Sequence, residues 1–188
     1  MALTEAQILD CAGHDDLLEL LFGELRVRLP PSEPFHMGRF LKKIRTIPIG
    51  LRAMAATFEL DVSMALDDLG WHFGNWAHRG YCDETLRGLR ELEAGEYADM
   101  FAKAYEVAQT CWTELTTGHG DFGKWYNKSD LYKATEPLSS RWWDLQKIDG
   151  GIFGCWTRYA RKYPHKVTQV VAPSRQASTS PPDTTSTA

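Results

Sequence analysis

Asp68, His72 and Asn75 are the residues whose types and spacing come nearest to a chemical site. They stand four and three apart, so a helix that carries them puts all three on one side. An Asp and a His on successive turns can give two ligands to a metal ion. Asp67 adds a second carboxylate beside them. The same line serves equally as a hydrogen-bonded polar seam. His78 and Cys82 are four apart and pair a base with a thiol, but no third partner is marked. His119 and Asp121, in the glycine-rich break at residues 118–123, could meet a metal or a phosphate. The chain contains no H-E-x-x-H, no glycine-rich phosphate loop and no G-x-S-x-G. No reaction is identified, so no catalytic residue, metal or cofactor is expected. A polar pocket at Asp68, His72 and Asn75 is the enzyme or ligand-binding alternative to a non-enzymatic role.

These residues need a helix to position them. Residues 61–78 read as one central helix, with Val62, Leu66, Leu69, Phe73 and Trp76 on a single apolar stripe. Gly70 and Gly74 lie four apart on another side. Either a neighbouring backbone comes close there, or the helix breaks at Gly70. Thr4 and Gln7 form a capping-box pattern for a first short helix. A second follows with Leu17, Leu21, Phe22 and Leu25, and the proline-rich residues 30–34 stop it. Phe40, Leu41 and Ile44 sit at helical spacing, and Pro48 opens a helix that turns Leu51, Ala55 and Phe58 inward. Asp83 can cap a helix carrying Leu86, Leu89 and Leu92. A long helix then runs from Glu96 to about Thr116, and Pro137 opens another. A last amphipathic helix carries Ile152, Phe153, Trp156, Ala160 and Tyr163. The expected fold is all-α: a compact single domain of roughly eight helices over residues 1–170. Residues 171–188, rich in Ser, Thr and Pro, are expected to be a disordered tail.

The composition suits a packed core, with 43% hydrophobic residues and seven tryptophans. Cys11, Cys82, Cys111 and Cys155 are widely spaced and form no C-x-x-C, which argues against a zinc knuckle or redox motif. The first residues show no secretion signal, and no apolar run approaches the roughly 20 residues of a membrane span. A reduced, cytoplasmic setting is expected.

Charge is segregated along the chain. Residues 35–58 carry Arg39, Lys42, Lys43, Arg45 and Arg52 and no acid. That stretch could meet phosphate or an acidic partner, form a solvated face, or complement the acids that follow. In residues 59–99, ten acids against three arginines leave a local formal charge of −7. Overall the chain is at −4, so it is not an obvious nucleic-acid binder. Asp83, Glu84, Glu91, Glu93, Glu96 and Asp99 can line a shared outer surface. The leading expectation is therefore a protein-binding module whose acidic helical face engages a basic partner, such as a nucleic-acid-binding protein or a toxin.

Three segments carry a resemblance: Leu69-Gly70-Trp71-His72-Phe73-Gly74-Asn75, Glu84-Thr85-Leu86-Arg87-Gly88-Leu89 and Ala94-Gly95-Glu96-Tyr97-Ala98-Asp99. In order they resemble a family of small bacterial all-helical domains whose best-known type is a DNA mimic protein. Leu69-Gly70-Trp71 stands where family members tend to carry Gly-Gly-Phe. The resemblance implies an all-α bacterial domain that works by binding other proteins. It also implies that carboxylates spaced like phosphates occupy a DNA-binding protein.

Overall fold

The computed structural model describes residues 2–31, 35–117 and 121–170. Among them the chain is all-α, with twelve helices and no strand. Several are short pieces, which is why the number exceeds the eight or so expected. In order they are α1 (Glu5–Asp10), α2 (His14–Arg28), α3 (Met37–Ile44), α4 (Ile49–Leu66), α5 (Leu69–Asn75) and α6 (Arg79–Glu91). Then come α7 (Gly95–Thr110), α8 (Trp112–Thr117), α9 (Phe122–Tyr126), α10 (Asp130–Asp149), α11 (Gly151–Lys162) and α12 (Pro164–Thr168). The expected tail lies outside the described residues. No helix among the described residues is long and apolar enough to cross a membrane.

The central helix is α4, not residues 61–78. It touches α2, α3, α5, α6, α11 and α12. Leu51, Ala53, Met54, Ala55, Ala56, Leu60 and Met64 are all buried along it. Its tightest neighbour is α6, where a Cβ on Gly88 would lie 3.0 Å from the Ala53 carbonyl oxygen. Glycine there lets the two backbones cross closely, and Thr57 and Thr85 fill the remaining space with satisfied hydroxyls.

The expected rod over residues 61–78 is broken at Asp67 and Asp68. The Asp67 N–H still bonds to the Ser63 carbonyl, but Asp67 itself leaves helical geometry. Asp68 then starts a new helix, its carboxylate accepting the Trp71 N–H at 2.8 Å. An Asp at the N-cap satisfies a backbone donor that a continuous helix would have bonded internally. The apolar period runs through the break, so periodicity alone did not reveal it. Leu66, placed on the inward stripe by that period, is 77% exposed.

Gly70 and Gly74 do make room, but for side chains. A Cβ on Gly70 would meet the Tyr126 hydroxyl and the Thr135 hydroxyl. A Cβ on Gly74 would enter the Phe122 ring. Helix α9, which carries Phe122 and Tyr126, lies against α5 on this small-residue side. Further along, the expected long helix from Glu96 is interrupted at Cys111. Pro137, expected to open a helix, lies inside α10, which Ser129 caps.

Candidate functional site

The three residues of the expected polar pocket do not converge. Asp68 is committed to capping α5 and to the Tyr126 hydroxyl, which donates to it at 2.5 Å. Asn75 is exposed at the end of α5. His72 points into the core, with its ring 6.0 Å from Phe101 and 5.7 Å from Phe73. Ser63 gives its one hydroxyl proton to the Glu59 carbonyl at 2.8 Å. His72 Nδ1 must therefore carry the proton in its 2.9 Å bond to Ser63 Oγ. Nε2 is left as a bare, buried acceptor without a partner. Burial alone lowers the imidazole pKa to about 3, so the ring is neutral. A helix can place residues on one side without their side chains meeting, and here the Asp68 cap separates them.

The other candidates fare similarly. Cys82 is buried, and desolvation pushes its thiol up to about 12. A thiol so held is not a nucleophile at neutral pH. His78 uses its ring to accept the Tyr81 N–H at the start of α6. Asp121 caps α9 and pairs with Lys124, while His119 lies outside the described residues. Among the described residues, no group of three His, Cys, Asp or Glu side chains is placed to hold a metal ion. All four cysteines are free.

The six carboxylates expected to form an acidic face are largely compensated. Glu84 is only 4% exposed and accepts Arg52 Nε on Oε1 at 2.6 Å and Arg52 Nη2 on Oε2 at 2.7 Å, with Arg87 also on Oε1. Glu91 takes Lys166 at 3.1 Å and the Tyr159 hydroxyl. Glu93 takes Lys162 at 2.7 Å and the Tyr163 hydroxyl at 2.6 Å. Glu96 takes Arg141 at 2.6 Å. Asp83 accepts the Tyr105 hydroxyl at 3.1 Å. Asp99 is exposed and carries no ion pair among the described residues. Exposed ion pairs contribute little stability, yet each cancels the field of its carboxylate. The compensating cations come mainly from α4, α10, α11 and α12, so counting charge within residues 59–99 missed them. Of the basic stretch, Arg52 complements one of these acids, one of the alternatives that the sequence leaves open for it.

The structure instead places a cavity of about 420 Å³ between α2, α3, α4 and the turn into α6. Phe22, Leu25 and Arg26 come from α2, and Leu29 from its C-cap. Phe35 precedes α3, which adds Met37 and Phe40. Ala55, Phe58 and Glu59 come from α4, and Trp76 and Tyr81 close the far wall. Six aromatic rings thus surround one space. Phe22 meets Phe58 edge-on at 5.9 Å, and Phe35 meets Trp76 edge-on at 6.2 Å. Trp76 and Tyr81 are 5.6 Å apart, and Phe40 and Tyr81 6.3 Å. Phe35 is 54% exposed at the outer edge.

Two polar groups in this wall are unmatched. Glu59 has no ion pair or side-chain hydrogen bond among the described residues, and burial raises its carboxyl pKa. The Tyr81 hydroxyl is buried and unpartnered. Thr85 and the Glu59 backbone lie near it without reaching hydrogen-bond geometry. Burial, reinforced by the Glu59 carboxylate, holds the phenol well above its ordinary range. Sequence reasoning treated Phe22, Phe40 and Phe58 as core and overlooked the space between them. No family model, no curated protein and no solved structure matches this chain.

Proposed function

We propose that the protein is a small-molecule binding module whose site is the aromatic cavity between α2, α3, α4 and α6. The carrying observation is a ring-lined space of about 420 Å³ that no element of the described chain fills. Ligand sites are typically concave, mostly apolar, and furnished with a few polar groups that fix orientation. Glu59, Arg26 and Tyr81 are such groups here. An apolar body entering the cavity gains roughly 25 cal/mol for each Å² of apolar surface it removes from water. It also gains edge and face contacts from the rings.

The reading is one of binding, because the described lining is chiefly aromatic and aliphatic. Docking of a basic protein on the acidic face loses its electrostatic basis once Glu84, Glu91, Glu93 and Glu96 are paired. DNA mimicry by the same carboxylates loses it likewise.

The test is titration with N-phenyl-1-naphthylamine, a neutral aromatic dye that fluoresces on leaving water. The wild type is expected to bind it saturably at one site. Ala55→Phe puts a ring into the same space and is expected to weaken binding at least tenfold while the protein stays folded by circular dichroism. Equal binding by both proteins would overturn the assignment. The widening variant Phe22→Ala serves as a second probe, and unchanged dye affinity in both variants would have the same force.

A further inference from the structure

The aromatic cavity does not end at Phe35 and Phe40. A second space of about 440 Å³ shares Leu29, Phe35 and Phe40 with it and continues outward. The character of the wall changes there. Among the described residues the outer space is lined by His36, Arg39 and Lys43 and by no acid. The two together form one groove, mostly apolar inside and basic outside. Among the described residues the inner part carries one carboxylate, Glu59, balanced by one guanidinium, Arg26, whereas the outer part is only basic.

This asymmetry fixes which way a charged ligand lies. A negative group in the inner part would meet Glu59 as well as Arg26, so repulsion there offsets attraction. At the outer end it would meet the opposite sign. Lys43 is an exposed ammonium on α3. Arg39 brings a guanidinium, whose fork matches carboxylate or phosphate oxygens. His36 accepts the Arg39 N–H on Nδ1, so in its neutral form it carries its proton on Nε2, a further donor.

We infer that the ligand is an amphiphilic anion, with an apolar body in the Phe22–Phe58–Trp76 cavity and a carboxylate or phosphate head at His36, Arg39 and Lys43. This rests on the aromatic cavity being a ligand site. The acid-free run over residues 35–58 then has a use beyond pairing Arg52 with Glu84. Its α3 portion supplies the anion-binding end of the groove, and its α4 portion supplies Ala55 and Phe58 at the apolar end.

Four probes share one eight-carbon chain and differ only in the head: octanoate, octyl phosphate, octanol and octylammonium. Each is titrated at pH 7.5 against the protein loaded with N-phenyl-1-naphthylamine. Octanoate, octyl phosphate or both are expected to displace the dye at roughly one-tenth the concentration of octanol, the effect of one charge-assisted hydrogen bond. Whichever anion is stronger identifies the head. Octylammonium is expected to be the weakest. In the Arg39→Ala/Lys43→Ala variant, octanol affinity should be unchanged and the anion preference should disappear. Octanol matching both anions, octylammonium binding best, or an undiminished preference in the double variant would overturn the inference and leave the cavity as a neutral site. If no probe displaces the dye, or the dye itself does not bind, the cavity assignment is what fails.

Discussion

Arg52 and Glu84, 32 residues apart, form a two-pronged ion pair between the central helix α4 and its neighbour α6. Nε meets Oε1 at 2.6 Å and Nη2 meets Oε2 at 2.7 Å. Burial pushes the Glu84 carboxyl up, but hydrogen bonds and charge from Arg52 and Arg87 outweigh it, and the net shift is downward. A carboxyl lowered in the folded state stabilises the protein above its unfolded pKa, near 4.5, and loses that contribution as pH falls through the folded value. Arg52→Ala leaves a buried carboxylate only half compensated. It should cost about 2–3 kcal/mol at pH 7 by urea unfolding. The Arg52→Met/Glu84→Gln pair should recover most of that. A cost below about 0.5 kcal/mol for the single change would contradict this account.

Asp61 has the opposite sign. It is buried on α4, and desolvation raises its pKa from the ordinary 3.8 to about 6, opposed by a hydrogen bond from the Ile152 backbone at the start of α11. The folded state holds this proton to higher pH than the unfolded chain does. Asp61 therefore weakens the fold progressively as pH rises from about 4 to about 6, and by a constant amount above that. Asp61→Asn should stabilise the protein by about 1–3 kcal/mol at pH 7. The gain should shrink towards zero near pH 4. A gain that does not change between pH 4 and pH 7 would show that the charge is not its source.

Gly74 faces the Phe122 ring of α9 so closely that a methyl group would enter it. Alanine favours a helix over glycine by about 1 kcal/mol, but forced overpacking costs about 1–3 kcal/mol. Gly74→Ala should therefore destabilise the wild type. In a Phe122→Ala background the same change should stabilise by up to about 1 kcal/mol. The reversal of sign, read from the thermal melts of the four proteins of this cycle, tests whether α9 is docked on α5.

Much of the fold was legible because local signals agreed with the tertiary result. Thr4 and Gln7 form the expected capping box. Leu51, Ala55, Leu69 and Phe73 are buried as their spacing required. What misled was any signal whose resolution lies far along the chain. The Asp67–Asp68 pair could continue or cap a helix, and Tyr126, 58 residues on from Asp68, bonds the capping carboxylate. The acids of residues 59–99 look unopposed until Lys162, Lys166 and Arg141 fold back onto them. The cavity was hidden for a different reason. Helical spacing says that Phe22, Phe40 and Phe58 avoid water. It does not say whether other side chains fill the space in front of them.

Binding in the cavity puts an apolar ligand beside Trp76. The chain has seven tryptophans, and Trp76 is the one that lines this cavity. The most direct measurement is a two-dimensional NMR titration of the indole N–H signals with N-phenyl-1-naphthylamine. The Trp76 signal should shift most and saturate. Trp156, which packs on Phe22 and Phe58 behind the wall, should shift less, and Trp112 and Trp142, outside the cavity lining, should stay in place. A stationary Trp76 signal, or larger shifts at Trp112 or Trp142, would contradict the account.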